Sequence, residues 1–150
     1  MIVKDNGSAM ASNGYFVSYL YYNGANLQFD FTSPEEVKDV VFVARLSSEF
    51  YDIALNDKNF KFVVNDEEVK DFYCDLSGAL SVDSKDKRAF TNFRISQSLS
   101  LKKGNNTIKL VVNNTNAHGG TMYAEAPIVD CLYLGTDAEL SWHPRTDNLE

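Results

Sequence analysis

The sequence predicts an all-β protein, a β-sandwich of two antiparallel sheets. Three observations indicate this fold class: apolar residues recur at every second position, turn residues separate these runs, and no segment keeps a helical period for three turns. Polar residues fill the alternate positions, as in strands with one buried and one solvated face. Strands of a parallel sheet would instead be continuously apolar.

The first clear strand lies at residues 27–31, where Leu27, Phe29 and Phe31 alternate with Gln28 and Asp30. Five later segments show the same alternation, namely residues 40–46, 60–64, 93–101, 108–112 and 128–134. Residues typical of turns separate them, at 22–24, 33–36, 65–67, 102–105 and 118–120. Together these elements predict one domain over residues 1–150, in which about 136–150 is a last strand or a linker to a following module.

Composition and charge exclude several classes of protein. A chain of 150 residues can bury roughly two-thirds of its unfolded surface as one domain. Its net charge of −7 disfavours nucleic acid as a partner, since nucleic acid attracts clustered Lys and Arg. No apolar run approaches the roughly 20 residues that a membrane-spanning helix requires, so we expect no membrane partner.

The chain has two cysteines, Cys74 and Cys131, and they leave two alternatives open. They form one disulfide, or they are buried free thiols. Their separation matches no C-x-x-C metal motif.

Three tyrosines lie within four positions, Tyr19, Tyr21 and Tyr22. On a strand, Tyr19 and Tyr21 would share one face, with Tyr22 on the other face or in the turn. Exposed flat rings on the loops of a sandwich indicate a sugar-binding surface, because they stack on the apolar faces of pyranose rings. The alternative is that these rings cover the edge of the core.

Polar residues on two other segments are candidate contacts for sugar hydroxyls. Segment 113–127 is longer than a hairpin requires, and its side-chain amides donate and accept at adjacent atoms. We therefore expect Asn114, Asn116 and His118 to bind hydroxyls, although a lone histidine beside glycines is also typical of a solvated loop. Tyr51 could line a groove to which Arg45 supplies charge; alternatively, Arg45 only forms a surface pair with Glu49.

Several motifs, in order along residues 13–135, resemble those of the carbohydrate-binding modules of families six and thirty-five. They are Val17-Ser18-Tyr19-Leu20, the turn at Val64-Asn65-Asp66, the aromatic pair in Phe90-Thr91-Asn92-Phe93, the turn Leu101 to Ile108 with Gly104 and Asn106, and Val129-Asp130-Cys131-Leu132. The resemblance implies a galactose-binding-domain-like jelly roll. It also implies non-catalytic binding of a polysaccharide or glycan by an extracellular bacterial protein, secreted or on the cell surface, with appended catalytic or adhesion domains.

The resemblance also implies roles for particular residues. Tyr19 and Phe90 match the two aromatic platforms of the family, and Asp130 matches the Asp that helps to bind a structural calcium. The acidic partners of that Asp are missing here, because Asp5 is the one acidic residue among residues 1–12. Ile128 stands where the family often places an Asn that binds the sugar.

Two rival hypotheses remain open on the sequence. The domain could be a structural or protein-interaction module whose sugar site is lost, as Ile128 suggests. It could also be a small hydrolase or lyase, but the chain has no nucleophile elbow, Walker loop or H-E-x-x-H motif. We expect no enzymatic activity.

Overall fold

The computed structural model describes residues 1–5, 11–49, 53–77, 90–117, 120 and 122–143. Within these ranges the chain forms twelve strands and no α-helix. The strands are β1 (Ile2–Lys4), β2 (Tyr15–Val17), β3 (Asn26–Ser33), β4 (Val37–Ser48), β5 (Ala54–Asn56), β6 (Phe60–Val64), β7 (Glu67–Glu68), β8 (Tyr73–Asp75), β9 (Thr91–Leu101), β10 (Gly104–Val112), β11 (Pro127–Gly135) and β12 (Ser141–Trp142).

Ten of these strands form two five-stranded sheets, and every neighbouring pair is antiparallel. The first sheet has the order β1-β2-β11-β4-β9, and the second has the order β12-β3-β10-β6-β7. The two remaining strands, β5 and β8, pair in a small separate sheet. The predicted jelly-roll β-sandwich of two antiparallel sheets is confirmed.

The core lies between the two sheets, and alternation along each strand supplies it. In β6, Phe60, Phe62 and Val64 are buried while the residues between them are partly exposed. The Phe62 ring contacts Phe42 of the opposite sheet with ring centroids 5.5 Å apart, and it also contacts Phe60 and Phe72. Each fully buried phenylalanine contributes about 1.5–3 kcal/mol to the free energy of unfolding. Aromatic residues at alternate positions therefore hold the two layers together.

The hairpin between β9 and β10 is organised by the buried side chain of Asn106. Its amide donates to the backbone oxygens of Lys102 and Gly104 and accepts from the Lys102 N–H. It also accepts from the Asn65 side chain at 2.8 Å, which connects the hairpin to the turn after β6. Gly104 has φ +93°, a conformation that glycine adopts without strain. The asparagine of this motif therefore has a structural role.

All six strands predicted by alternation are confirmed, and the structure extends most of them by a few residues. The expectation that Tyr19 lies on a strand is wrong. β2 ends at Val17, and residues 18–25 connect it to β3 as a loop. Within the segment 136–150, β12 adds a short strand to the edge of the second sheet beside β3. Residues 144–150 lie outside the described ranges.

At one end of the sandwich, several connections are joined by backbone hydrogen bonds. The Gly24 N–H donates to Val112 O at 2.8 Å, the Ala124 N–H to Tyr21 O at 2.8 Å, and the Asn113 N–H to Asn59 O at 3.0 Å. We call this part of the molecule the loop end, and define it by residues 18–25, 49, 57–59, 113–117 and 122–126. It brings together residues that are far apart in the sequence.

Both cysteines are free thiols. Cys74 is buried on β8, whereas Cys131 is half-buried on β11. Of the two alternatives, the disulfide is therefore wrong, and the buried free thiol holds for Cys74. The described part of the chain contains no helix with the length and apolar character needed to span a bilayer.

Candidate functional site

Four tyrosines pack together at the loop end. Tyr19, Tyr21 and Tyr22 come from the connection between β2 and β3, and Tyr123 comes from the connection between β10 and β11. The Tyr21 ring lies at the centre, with its centroid 4.2 Å from Tyr123, 5.1 Å from Tyr22 and 5.6 Å from Tyr19. Tyr19 and Tyr22 expose 49% and 51% of their surface. We call these four residues the tyrosine cluster.

The backbone conformation at Tyr19, which turns its ring outward, costs conformational free energy. Tyr19 has φ +62°, which lies in the left-handed region that non-glycine residues seldom adopt. Such a conformation costs of the order of 1–3 kcal/mol and persists where surrounding contacts impose it. The contact here is Glu49, whose carboxylate accepts the Tyr19 N–H at 3.2 Å and the Ser18 hydroxyl at 3.0–3.1 Å.

The cluster shields its central ring from water. Desolvation raises the pKa of Tyr21, and the neighbouring Tyr123, Tyr22, Glu49 and Tyr19 raise it further. A phenolate would therefore be disfavoured at this position. Tyr21 therefore remains a neutral hydroxyl at physiological pH.

Asn114 holds the connection between β10 and β11 in place. Its Nδ2 donates to Asn59 O at 3.1 Å and to Glu125 O at 2.9 Å, while its Oδ1 accepts the N–H groups of Asn116 and Glu125. A side-chain amide has two donor hydrogens and two acceptor lone pairs, so these four bonds use its whole capacity. Asn114 therefore organises the loop from within and has no free group to offer a ligand.

Asn116 and Glu125 form the polar part of the site. The exposed Asn116 amide donates to Glu125 Oε2 at 3.0 Å, and the Asn59 amide donates to the same oxygen at 3.3 Å. Asn116 retains one donor hydrogen and its own side-chain oxygen, and Glu125 retains Oε1. Between Tyr123 and Glu125, the Ala124 N–H donates to Tyr21 O at 2.8 Å, so the segment that carries Glu125 lies against the tyrosine cluster.

Phe90 belongs to a different group of side chains, on the first sheet. Its ring packs against Phe16 with centroids 6.0 Å apart, and the Arg45 guanidinium lies 5.7 Å from its centre. No ring contact joins Phe90 to Tyr19. Tyr19 packs against Tyr21, whereas Phe90, directly before β9, packs against Phe16, so the two rings belong to separate groups of side chains. Their joint role as sugar platforms stays a prediction.

Arg45 is bound to Asp130, which is the predicted calcium ligand. Arg45 Nε lies 2.8 Å from Asp130 Oδ2, and the Asp130 side chain has no exposed surface. The sequence analysis expected Arg45 to supply charge to a groove or to pair with Glu49, and neither expectation named Asp130 as its partner. Asn92 accepts a further, long hydrogen bond from Arg45 at 3.5 Å. The charge of Arg45 is therefore largely neutralised within the protein.

The residues described around Asp130 do not fit a calcium ion. Asp130 Oδ1 accepts both the backbone N–H and the hydroxyl of Ser12, at 2.9 and 3.0 Å, while Arg45 occupies Oδ2. Calcium requires six to eight oxygen ligands, and here both Asp130 oxygens are already engaged, one by the Arg45 guanidinium and one by Ser12. Within the described ranges, no group of three or more His, Cys, Asp or Glu is placed to hold a metal ion. Calcium elsewhere in the chain stays a prediction.

Two predicted site residues, Tyr51 and His118, lie outside the described ranges. Ile128 is fully buried, so its side chain cannot replace the asparagine that the resemblance leads one to expect. The sequence analysis missed Tyr123, Glu49 and Glu125 as members of the site. The length of segment 113–127 indicated a functional loop that contains Tyr123 and Glu125, but neither residue belongs to a motif. Only its proximity to Arg45 in the sequence drew attention to Glu49.

Comparison with known proteins identifies structures of the same fold. No protein-family model matches the chain, and no curated protein matches its sequence. Among solved structures, a family 35 carbohydrate-binding module from an environmental isolate superposes with TM-score 0.62 at 18% identity, over 95% of this chain and 86% of that one. Xyl-CBM35, solved in complex with a disaccharide containing glucuronic acid, gives TM-score 0.59 at 14% identity over 92% of this chain and 84% of that one.

A larger protein carries the same fold as one part. The Podospora anserina GH26–CBM35 β-(1,4)-mannanase superposes with TM-score 0.53 at 16% identity, and the match covers 97% of this chain and 26% of the mannanase. The fold of the present chain is thus that of the family 35 modules. At these identities the likeness concerns the fold alone.

Proposed function

We propose that this domain is a non-catalytic carbohydrate-binding module of a larger extracellular protein, which it directs to a polysaccharide or glycan. The observation that carries the proposal is the tyrosine cluster at the loop end, with two half-exposed rings beside the Asn116–Glu125 pair. Flat rings offer stacking surface to pyranose faces. Amide and carboxylate groups pair with adjacent hydroxyls. The site thus combines the two kinds of contact that a saccharide needs.

The similar structures support this proposal. Several are named as carbohydrate-binding modules, and one is a mannanase that includes such a module. An appended catalytic domain and an extracellular location are the corresponding proposals for this chain. We expect modest affinity, because each hydrogen bond to a sugar replaces one to water and contributes about 1 kcal/mol.

The experiment is a binding screen with the intact domain, by glycan array followed by affinity electrophoresis in soluble polysaccharides. For any ligand found, Tyr19→Ala and Tyr22→Ala should each weaken binding about tenfold, which corresponds to about 1.4 kcal/mol of lost contact. Tyr133→Ala is the matched control, since Tyr133 is equally exposed (47%) but lies on β11 outside the cluster. No binding to any glycan, or equal loss in all three variants, would refute the proposal.

The second candidate is a structural or protein-interaction module that has lost a sugar site. The burial of Ile128 and the engagement of Arg45 by Asp130 favour it, because both remove polar groups expected at a glycan site. This candidate predicts no glycan binding. A hydrolase or lyase would instead release reducing sugar from mixed polysaccharides, and we expect no such release.

A further inference from the structure

We propose that Asn13 is a modification site, where the side-chain amide is hydrolysed to aspartate or isoaspartate, whereas the fold protects Asn23 from the same reaction. This inference does not depend on sugar binding. Asparagine followed by glycine occurs three times in the chain, at Asn6-Gly7, Asn13-Gly14 and Asn23-Gly24. The first pair lies outside the described ranges, and the structure distinguishes the other two.

The reaction requires water as its co-reactant. The backbone nitrogen of the glycine loses its proton to solvent and attacks Cγ of the preceding asparagine, which closes a succinimide ring and releases ammonia. Water then opens the ring at either carbonyl, and the product is aspartate or isoaspartate. Glycine favours the attack because it has no Cβ to restrict the approach of its nitrogen. The attack also requires that no hydrogen bond holds this nitrogen in place.

The two asparagines have similar surroundings. Asn13 and Asn23 are both exposed, and the glycine after each has a positive φ, +74° at Gly14 and +87° at Gly24. Neither asparagine side chain forms a hydrogen bond with another described residue. The side chains therefore do not distinguish the two sites.

The glycine at the second site is bound to a central strand. The Gly24 N–H donates to Val112 O at 2.8 Å, and the Val112 N–H donates to Ala25 O at 2.9 Å. Val112 belongs to β10, which lies in the middle of the second sheet between β3 and β6. The nitrogen that would attack Asn23 is therefore held, and its hydrogen bond must break before the ring can close.

The glycine at the first site is held only within its own turn. The Gly14 N–H donates to Ala11 O at 3.3 Å, which is long for a hydrogen bond of this kind. The turn precedes β2, and β1 and β2, of three residues each, are the outermost pair of the first sheet. Short elements at the edge of a sheet open locally at low free-energy cost. The nitrogen that would attack Asn13 is therefore released more easily.

Modification at Asn13 would affect a contact with the first sheet. The neighbouring Ser12 donates its backbone N–H and its hydroxyl to Asp130 Oδ1, at 2.9 and 3.0 Å. Isoaspartate carries the main chain through its own side chain, so the path from Ser12 to Gly14 becomes one atom longer. We expect this change to displace Ser12 and weaken both bonds, whereas ordinary aspartate leaves the main chain as it was.

The experiment follows both sites in one sample. The intact domain is kept in mildly alkaline buffer below its thermal midpoint, digested at acid pH after successive times, and its peptides are analysed by mass spectrometry. In the folded domain, Asn13 should convert about tenfold faster than Asn23, the factor that one retained backbone hydrogen bond supplies. A parallel sample in urea is the control. There the two rates should differ by less than about threefold, because the denatured chain holds neither glycine in place.

Two variants assign the modified species. Asn13→Gln should abolish the acidic form that chromatography separates first from the folded wild type, because the longer glutamine side chain forms the corresponding ring slowly. Asn23→Gln is the matched control and should leave that form unchanged. Conversion at Asn6 appears in a peptide of its own. The purified isoaspartate form should unfold at a lower temperature than Asn13→Asp, which has the same charge and an ordinary main chain.

The outcomes are distinct. Equal conversion at Asn13 and Asn23 in the folded domain, or faster conversion at Asn23, overturns the proposal. Failure of Asn13 to convert in buffer while it converts in urea also overturns it. A rate ratio that is the same in buffer and in urea shows that local sequence and not the fold separates the sites, which contradicts the protection of Asn23. Equal thermal midpoints for the isoaspartate form and Asn13→Asp overturn the displacement of Ser12.

Discussion

Arg45 and Asp130 form an ion pair within the first sheet, with Nε 2.8 Å from Oδ2 and the Asp130 side chain wholly excluded from solvent. The sequence analysis expected separate roles for them, one as a contact for a glycan and the other as a ligand for calcium. Strands β4 and β11 are neighbours, and their register shifts between Val129 and Cys131, which leaves Asp130 as an extra residue beside Arg45. Each group satisfies the charge of the other.

The first prediction concerns this ion pair. Arg45→Met should lower the free energy of unfolding by about 3–5 kcal/mol, because it leaves a buried carboxylate without its counter-charge. Urea unfolding followed by the fluorescence of Trp142, the single tryptophan, would measure the change. Lys61→Met is the control: it breaks a partly exposed pair with Glu68 on the second sheet and should cost less than about 1 kcal/mol. If both variants lose the same free energy of unfolding, the Arg45–Asp130 pair is not the buried ion pair described here.

The second prediction concerns calcium. We expect the thermal midpoint of the domain to be the same in calcium as in EGTA, because Arg45 and Ser12 use the Asp130 oxygens. A site filled at about 100 times its dissociation constant would add about 2.7 kcal/mol to the free energy of unfolding, which is easily detected. A thermal midpoint that rises with calcium would contradict this prediction.

The third prediction separates two neighbouring asparagines. Asn114→Ala should destabilise the domain by about 2–4 kcal/mol and weaken glycan binding as well, because it removes four hydrogen bonds that organise the loop, three of them partly buried. Asn116→Ala should change stability by less than about 1 kcal/mol, since its side chain is exposed. Its effect should appear in binding alone. The prediction fails if both variants keep wild-type stability.

The fourth prediction concerns alkaline pH. Burial raises the pKa of the Cys74 thiol from its ordinary 9.0 to about 12. Between these two values the unfolded chain loses this proton while the folded chain retains it, so the free energy of unfolding falls as pH rises. Below about pH 9 both states are protonated, and the thiol contributes no pH dependence.

Urea unfolding between about pH 8 and 11 would measure this slope, which for one group reaches at most about 1.4 kcal/mol per pH unit. Cys74→Ala should flatten it relative to the wild type. Tyr21 adds a slope of the same sign, because its pKa is also raised by desolvation, and that part should remain in the variant. If the free energy of unfolding of Cys74→Ala falls with pH as steeply as that of the wild type, Cys74 makes no contribution to the slope.

The candidate site shows where sequence reasoning stops. Tyr19 and Tyr21 were recognised as a pair, and their rings do touch, but the cause is a loop with φ +62° at Tyr19 and not a shared strand face. Asn114 and Asn116 carry the same side chain two positions apart. Their different roles depend on which backbone groups surround each amide, and no sequence pattern records that.

The sequence by itself determined the layered fold of this protein, because alternation at period two directs every second side chain inward wherever the chain is extended. Phe31, Phe60 and Phe62 could be assigned to the interior on that basis, and Phe29 packs against it partly buried. The turn that Asn106 organises could be predicted from its glycine and asparagine residues. Tertiary structure alone decided the site. It brought Tyr123 to Tyr21 and Asp130 to Arg45, because contacts between distant segments follow from strand order and loop conformation, which local periodicity does not encode.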